Sequence, residues 1–260
     1  MTVETPSRAG PATALYCYGV TVAKAAKGRP YEGLGGKPVT PVVFGEVAAL
    51  TSEAPPGRTR ARRADLLTHF EVLGDAFQHG TVLPLRFGIV FEDERSLVED
   101  FLRPRHDELV RLLRELCDRV ELRVSAHYRE EALLAEVVQE NKRIARLREL
   151  TREQPAQPLL LELGELVTQE LRARTQRDAR ALLDRLGRLA LRYELDEEPI
   201  EYQVLRGSFL VERKRVDAFD AALDSFAADQ AGRIDVKLVG PLPPHSFVAL
   251  THGEERRWGS

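Results

Sequence analysis

VELRVSAHY, residues 120–128, decides how the second half of the chain is read. Val120, Leu122, Val124 and Ala126 alternate with Glu121, Arg123, Ser125 and His127, the period-two pattern of a half-buried strand. Beyond it, residues 129–151 form a charged helix carrying Leu133, Val137, Ile144 and Leu147. After Pro155 and Pro158 a second helical stretch runs to about Tyr193. Ile200, Tyr202 and Val204 then alternate, Arg206-Gly207 gives a turn signal, and Phe209 and Val211 continue on a paired strand. Val216, Phe219, Leu223 and Phe226 form a helical stripe, and Ile234, Val236 and Leu238 a last strand. The order β, helical pair, β, β, α, β is the ferredoxin-like signature, an antiparallel sheet with helices on one face. Its first crossover is enlarged into a helical pair over 129–193.

The first half reads as a separate α+β domain, residues 1–118, opening with a flexible tail over 1–12 that carries Pro6, Gly10 and Pro11. Ala14–Val22 is a strand rich in aromatic and β-branched residues, and Val39–Leu50 supplies a second strand region. Between them glycines and prolines punctuate a loop. Leu66, Phe70, Leu73 and Phe77 fall on one face of a helix. HGTVLPLRFGIVF (79–91) alternates as one strand, Leu83, Leu85, Phe87, Ile89 and Phe91 against Pro84, Arg86 and Gly88. Pro84 cannot donate to a ladder, so this strand is an edge or begins irregularly. The whole chain is therefore expected to be α+β in two domains. The second runs over 119–250, and residues 251–260 form a tail.

The totals narrow the function classes. Among 260 residues 43% are hydrophobic and 30% charged, the composition of a globular protein, and the net charge of −3 offers no global field for nucleic acid or an anionic membrane. The opening MTVETPSRAGPATA lacks a signal-peptide layout, and no apolar run reaches the roughly 18 residues of a membrane span. A cytoplasmic protein is expected. Cys17 and Cys117 lie far apart, without CxxC spacing, and read as buried small hydrophobes.

No catalytic or metal-binding pattern emerges. The six histidines show no HExxH or HxH spacing, there is no GxSxG, and Gly33–Lys37 lacks the Walker spacing. His69 reads as a hydrogen-bonded structural histidine. No enzyme activity, no metal and no cofactor are expected. The charges of 129–190, with pairs such as Glu170 and Arg174 at i, i+4, read as a solvated helical face or as a coiled-coil surface. Arg58, Arg60, Arg62 and Arg63, beside Pro55-Pro56-Gly57, read as a solvated loop or a docking patch for an acidic partner. Leu83, Pro84, Arg86 and Phe87 are candidates for a partner surface. Gly240, Pro241, Pro243, Pro244 and Phe247 form a structural motif that ends the last strand and anchors the returning chain.

Three stretches also carry a family likeness. HFEVLGDAFQHGTVLPLRFGIVF (69–91), VELRVSAHY (120–128), and GSFLVERKRVDAFDAAL followed by GPLPPHSFV (240–248) resemble, in order, landmarks of the gas vesicle protein GvpF/GvpL family. The departures are Leu242 where the family often has Trp, His245 where it often has Tyr, and Ile89 where Thr is common. The resemblance implies an N-terminal α+β domain and a ferredoxin-like C-terminal domain with added helices. It also implies a cytoplasmic and gas vesicle location. The partners it implies are the small hydrophobic shell protein GvpA and other accessory proteins met during assembly, and it carries no catalytic residue. A different class, a small-molecule-binding regulatory module, rests on the ligand-binding habit of ferredoxin-like domains alone.

Overall fold

The computed structural model describes residues 13–26, 30–55, 62–196 and 201–248; Arg58 and Arg60 of the basic cluster lie outside them. The chain forms two compact units. One runs up to Arg119 and takes back the chain from Leu242; the other is Val120–Pro241. The closing segment Leu242–Val248, expected with the second domain, groups with the first. Both units mix helices with antiparallel strand pairing, the expected α+β class.

The first unit is organised by β1 (Leu15–Val22). With β2 (Tyr31–Glu32), β3 (Pro38–Phe44), β4 (Val47–Glu53) and β5 (Val82–Pro84) it forms a sheet of order β2-β3-β4-β1-β5, and β6 (Val90–Phe91) pairs with β1 as well. Strands on both sides and cover on both faces explain why Tyr16–Thr21 are all buried. Helix α1 (Arg63–Phe77) buries His69, Val72, Leu73, Ala76 and Phe77, while Leu66 and Phe70 are exposed. The expected stripe is thus rotated about the helix: a histidine whose nitrogens are paired occupies the centre of the buried face. The short α2 (Glu94–Ser96), capped by Asp93, leads into a π-helical turn (Leu97–Leu102) and then α3 (His106–Glu115). Cys17 is buried as expected; Cys117 is exposed.

The second unit contains β7 (Arg119–Tyr128), α4 (Glu130–Glu140), α5 (Lys142–Glu153), α6 (Gln157–Leu186), β8 (Arg192–Leu195), β9 (Gln203–Glu212), α7 (Val216–Asp229) and β10 (Ile234–Leu242). The sheet order β10-β7-β9-β8 sets the fourth strand beside the first and the third beside the second, the expected ferredoxin-like order. Leu133, Val137, Leu182, Leu186, Phe219, Leu223 and Phe226 bury the helices, and Val120, Leu122, Val124, Phe209 and Val211 are buried on the sheet.

Two expectations within this unit are corrected. The helical pair is three helices, because Asn141 interrupts the first: its Oδ1 accepts the N–H groups of Arg143 at 3.1 Å and Ile144 at 3.2 Å, starting a new helix. The third helix ends at Leu186, before the strand Arg192–Leu195. The expected hairpin of 200–204 with 209–211 is also replaced. Arg206 and Gly207 lie inside the continuous strand β9, whose antiparallel partner is β8. Gly207 is a close-approach residue and not a turn: a Cβ there would stand 2.7 Å from both the Glu194 carbonyl oxygen and Leu195 Cδ2. Ile200 lies outside the described residues.

The Asn141 cap gives a direct test. Asn141→Ala leaves the Arg143 and Ile144 N–H groups without their acceptor, and urea denaturation should show a loss of about 1 kcal/mol. An unchanged midpoint would show that the helix break is imposed by packing alone.

Candidate functional site

The segment 83–88 does not continue as one alternating strand. Gly19–Thr21 of β1 pair with Val82–Pro84, and Leu15 and Tyr16 pair with Phe91 and Val90. Between those pairings Cys17 and Tyr18 face the longer run Leu85–Ile89. The Leu85 N–H donates to the Tyr18 carbonyl and the Cys17 N–H to the Ile89 carbonyl, both at 3.0 Å. Arg86, Phe87 and Gly88 are the surplus, and they leave the sheet as a turn that Gly88 closes at φ 95°. Leu83 and Pro84 are buried beside β1 and offer nothing to a partner, contrary to expectation. Phe87 is half-buried and Arg86 exposed.

A buried hydrogen-bond chain holds this turn from beneath. The Gly88 N–H donates to the Tyr16 hydroxyl (3.1 Å), which in turn lies 2.9 Å from His69 Nδ1. His69 Nε2 lies 3.2 Å from the Leu85 carbonyl. A carbonyl can only accept, so Nε2 carries the imidazole proton and Nδ1 receives the tyrosine hydrogen. Both ends of the chain therefore grip backbone at the two edges of Arg86–Gly88. Phe87 packs its ring against Tyr16 and His69, with centroids 5.9 and 5.6 Å away. The neighbouring Tyr18 hydroxyl lies 2.9 Å from Ser52 Oγ and accepts the Leu34 N–H at 2.7 Å. Burial, the largest influence, lowers the His69 pKa from 6.5 to about 4 and raises those of both tyrosines. The neutral imidazole is a strut, the structural role its sequence context suggested. Tyr16 and Tyr18 were missed, although their spacing of two puts both on one face of a strand.

The other sequence candidates separate. Arg62 and Arg63 are exposed at the start of α1, where Asp65 accepts the Arg62 N–H at 3.1 Å. Gly240 and Pro241, joined by a cis peptide bond, fall within β10. Pro243, Pro244 and Phe247 are buried in the first unit, and His245 meets Phe70 edge-on at 5.3 Å.

The second unit holds a buried ionic cluster that sequence reasoning assigned to a solvated face. Arg174 on α6 is only 2% exposed. Its guanidinium binds Glu136, Glu140 at 2.7 Å and Glu170 at 3.0 Å. Glu136 also accepts from Arg233 at 2.5 Å, and Arg233 binds Asp178 at 2.6 Å. Asp178 accepts the Tyr128 hydroxyl at 2.5 Å. Burial opposes the charge on both arginines, and the carboxylates more than offset it. The sequence signal was present: Glu170, Arg174, Asp178, Leu182 and Leu186 form one row at four-residue spacing, so the polar residues head the same stripe as the apolar ones. On β7, Glu121 is likewise fully buried, accepting from Arg123 at 2.7 Å and Ser208 at 3.2 Å. Among the described residues no group of His, Cys, Asp and Glu could hold a metal ion.

Residues 14–249 match the family model described as gas vesicle synthesis protein GvpL/GvpF. The chain is 35% identical to gas vesicle protein F of Streptomyces sp. (strain CB03234), over 90% of this chain and 98% of that protein. It is 24% identical to gas vesicle protein F of Dolichospermum flosaquae, over 91% and 98%. The crystal structure of GvpF from Anabaena sp. PCC7120 superposes with a TM-score of 0.82 at 22% identity, covering 93% of this chain and 100% of that one. That of GvpF from Microcystis aeruginosa gives 0.76 at 20%, covering 92% and 100%. Both share the fold.

The lowered His69 pKa fixes a pH dependence. Above pH 6.5 neither the folded nor the unfolded chain holds the extra proton. Between 6.5 and about 4 only the unfolded chain takes it up, so stability falls as pH falls through that window. The loss from this group is at most about 3 kcal/mol, and His69→Gln, which can still accept and donate, should remove that part of the slope. Urea midpoints of both proteins at pH 7 and 4.5 measure it; parallel slopes would exclude His69 as the origin. In the second unit, Arg174→Met leaves Glu136 to Arg233 and takes the shared cation from Glu170 and the largely exposed Glu140. The variant should lose about 1–3 kcal/mol at pH 7, read from urea midpoints; an unchanged midpoint would mean the carboxylates rehydrate fully.

Proposed function

The chain belongs to the gas vesicle synthesis protein GvpL/GvpF family, and from that premise we propose that it is an accessory or minor structural protein of gas vesicle assembly. It works by binding the hydrophobic shell protein GvpA and other accessory proteins, in the cytoplasm and on the vesicle, and it catalyses nothing. The single observation that carries this reading is the family match over residues 14–249, with curated relatives covered at 98% of their own length. One feature of the structure supports it: the Tyr16–His69 chain ends on backbone groups, the Gly88 N–H and the Leu85 carbonyl. Among the described residues no helix is long and apolar enough to cross a membrane.

The contact surface we propose is the exposed face of α6 and not the segment 83–88. Leu160 and Leu161 are 50% and 65% exposed there, flanking a shallow groove whose charge comes from Glu165 and Arg172. An amphipathic partner finds apolar and charged groups side by side on that face. Co-expression with GvpA and affinity capture tests it. Stoichiometric capture is expected, with Leu161→Glu lowering it roughly tenfold while melting stays within about 1 °C, since exposed substitutions change stability little. Capture equal to wild type would move the surface elsewhere. No capture at all, with a co-purifying metabolite, would favour the small-molecule-binding module instead.

A further inference from the structure

Strand β8 is one of the two outer strands of the second sheet among the described residues, and its sequence is complementary to itself. It pairs with β9 in the register Arg192↔Leu210, Tyr193↔Phe209, Glu194↔Ser208 and Leu195↔Gly207. Just beyond, the Asp196 N–H donates to the Arg206 carbonyl at 2.9 Å, which fixes the parity of the ladder. In an antiparallel pair alternate residues bond the same neighbour, so the even-numbered residues of β8 bond β9. The N–H and C=O groups of Tyr193 and Leu195 point to the outer edge. The Leu191 N–H is turned inward to the Leu210 carbonyl at 2.8 Å.

The side chains divide in the same way. Leu191, Tyr193 and Leu195 are 45%, 46% and 41% exposed; Tyr193 and Leu195 share one face of β8, where the Tyr193 ring lies 5.9 Å from buried Phe209. Arg192, Glu194 and Asp196 occupy the other. Within Arg192–Leu195 there is no lysine or proline, and the charges on this edge, Arg192 and Glu194, are of opposite sign, so they repel a second copy only in the wrong register.

We propose that β8 pairs antiparallel with β8 of a second copy of this chain, about a two-fold axis between the two Tyr193 residues. That register sets Tyr193 opposite Tyr193, Leu191 opposite Leu195, and Arg192 opposite Glu194 on both sides of the axis. The parity agrees. Tyr193 with Tyr193 becomes the central hydrogen-bonded position, and the Leu191 N–H stays with the Leu210 carbonyl of its own sheet. Arg192 and Glu194 fall at the non-hydrogen-bonded positions, where facing side chains come closest. The neighbouring registers allowed by parity are two residues away. One sets Glu194 against Glu194 and the other Arg192 against Arg192, so charge selects the central one. The interface is isologous and joins two four-stranded sheets into one. A four-residue strand buries far less than the roughly 1,600 Å² of a standard interface, so dissociation falls in the micromolar range, below about 100 μM.

Sedimentation of the full chain over a concentration series tests this. Wild type should show a monomer–dimer equilibrium. Arg192→Glu and Glu194→Arg should each weaken it roughly tenfold or more, because each places like charges opposite one another twice. Mixing the two variants re-creates opposite charges at both positions and should restore dimers at least as stable as wild type, with melting of each variant unchanged. That rescue cannot come from misfolding of either variant. A wild type that stays monomeric at about 100 μM, or a dimer indifferent to both substitutions, would overturn the proposal and leave the edge to a strand of another protein.

Discussion

The Tyr16 hydroxyl is buried among a strand, a helix and a turn, and a polar group in that position must find its partners within the protein. It finds the Gly88 N–H on one side and His69 on the other, and His69 passes the requirement on to the Leu85 carbonyl. Much of the first unit follows from this chain. The buried face of α1 must be centred on His69, the strand facing β1 must break at Leu85, and the turn Arg86–Gly88 must rise where it does. Each link fixes a different element, so the arrangement cannot slide by one residue without leaving a buried donor or acceptor unpaired.

The second unit solves a related problem with full charges. Arg174 on α6 and Arg233 on the approach to β10 are surrounded by Glu136 and Glu140 of α4 and Glu170 and Asp178 of α6. Such a cluster adds less net stability than apolar packing of the same volume, because each ion gives up its hydration. It does discriminate among helix registers. A shift of α6 by one residue would move Arg174 away from both carboxylates of α4, Glu136 and Glu140, and the apolar row below it would be equally satisfied by several leucines.

A neutral histidine bonded at both nitrogens has no spare lone pair to act as a base, and the guanidinium groups of the ionic cluster are held by carboxylates. What the molecule presents outward is different in kind: apolar side chains on α6 and along β8, each beside charges. These apolar, charge-flanked surfaces are what the proposed assembly role requires.

Period-two alternation at 120–126 and 234–238 and the helical stripe at 216–226 placed three elements of the second unit correctly, because such patterns record directly which side of an element faces apolar neighbours. The likeness carried by residues 69–91 and 240–248 likewise identified the family. The hairpin was misplaced because Gly207 has the same letter whether it turns the chain or lets another strand approach, and only the position of Leu195 distinguishes the two. The partner residues were misplaced for a similar reason. Leu83 and Pro84 are buried by β1, some sixty residues earlier in the chain, and Arg174 is met by the carboxylates Glu136 and Glu140 of α4, more than thirty residues earlier. Local sequence determined what each segment could bury. Burial itself depends on what the rest of the chain brings against that segment, and tertiary structure alone decided it.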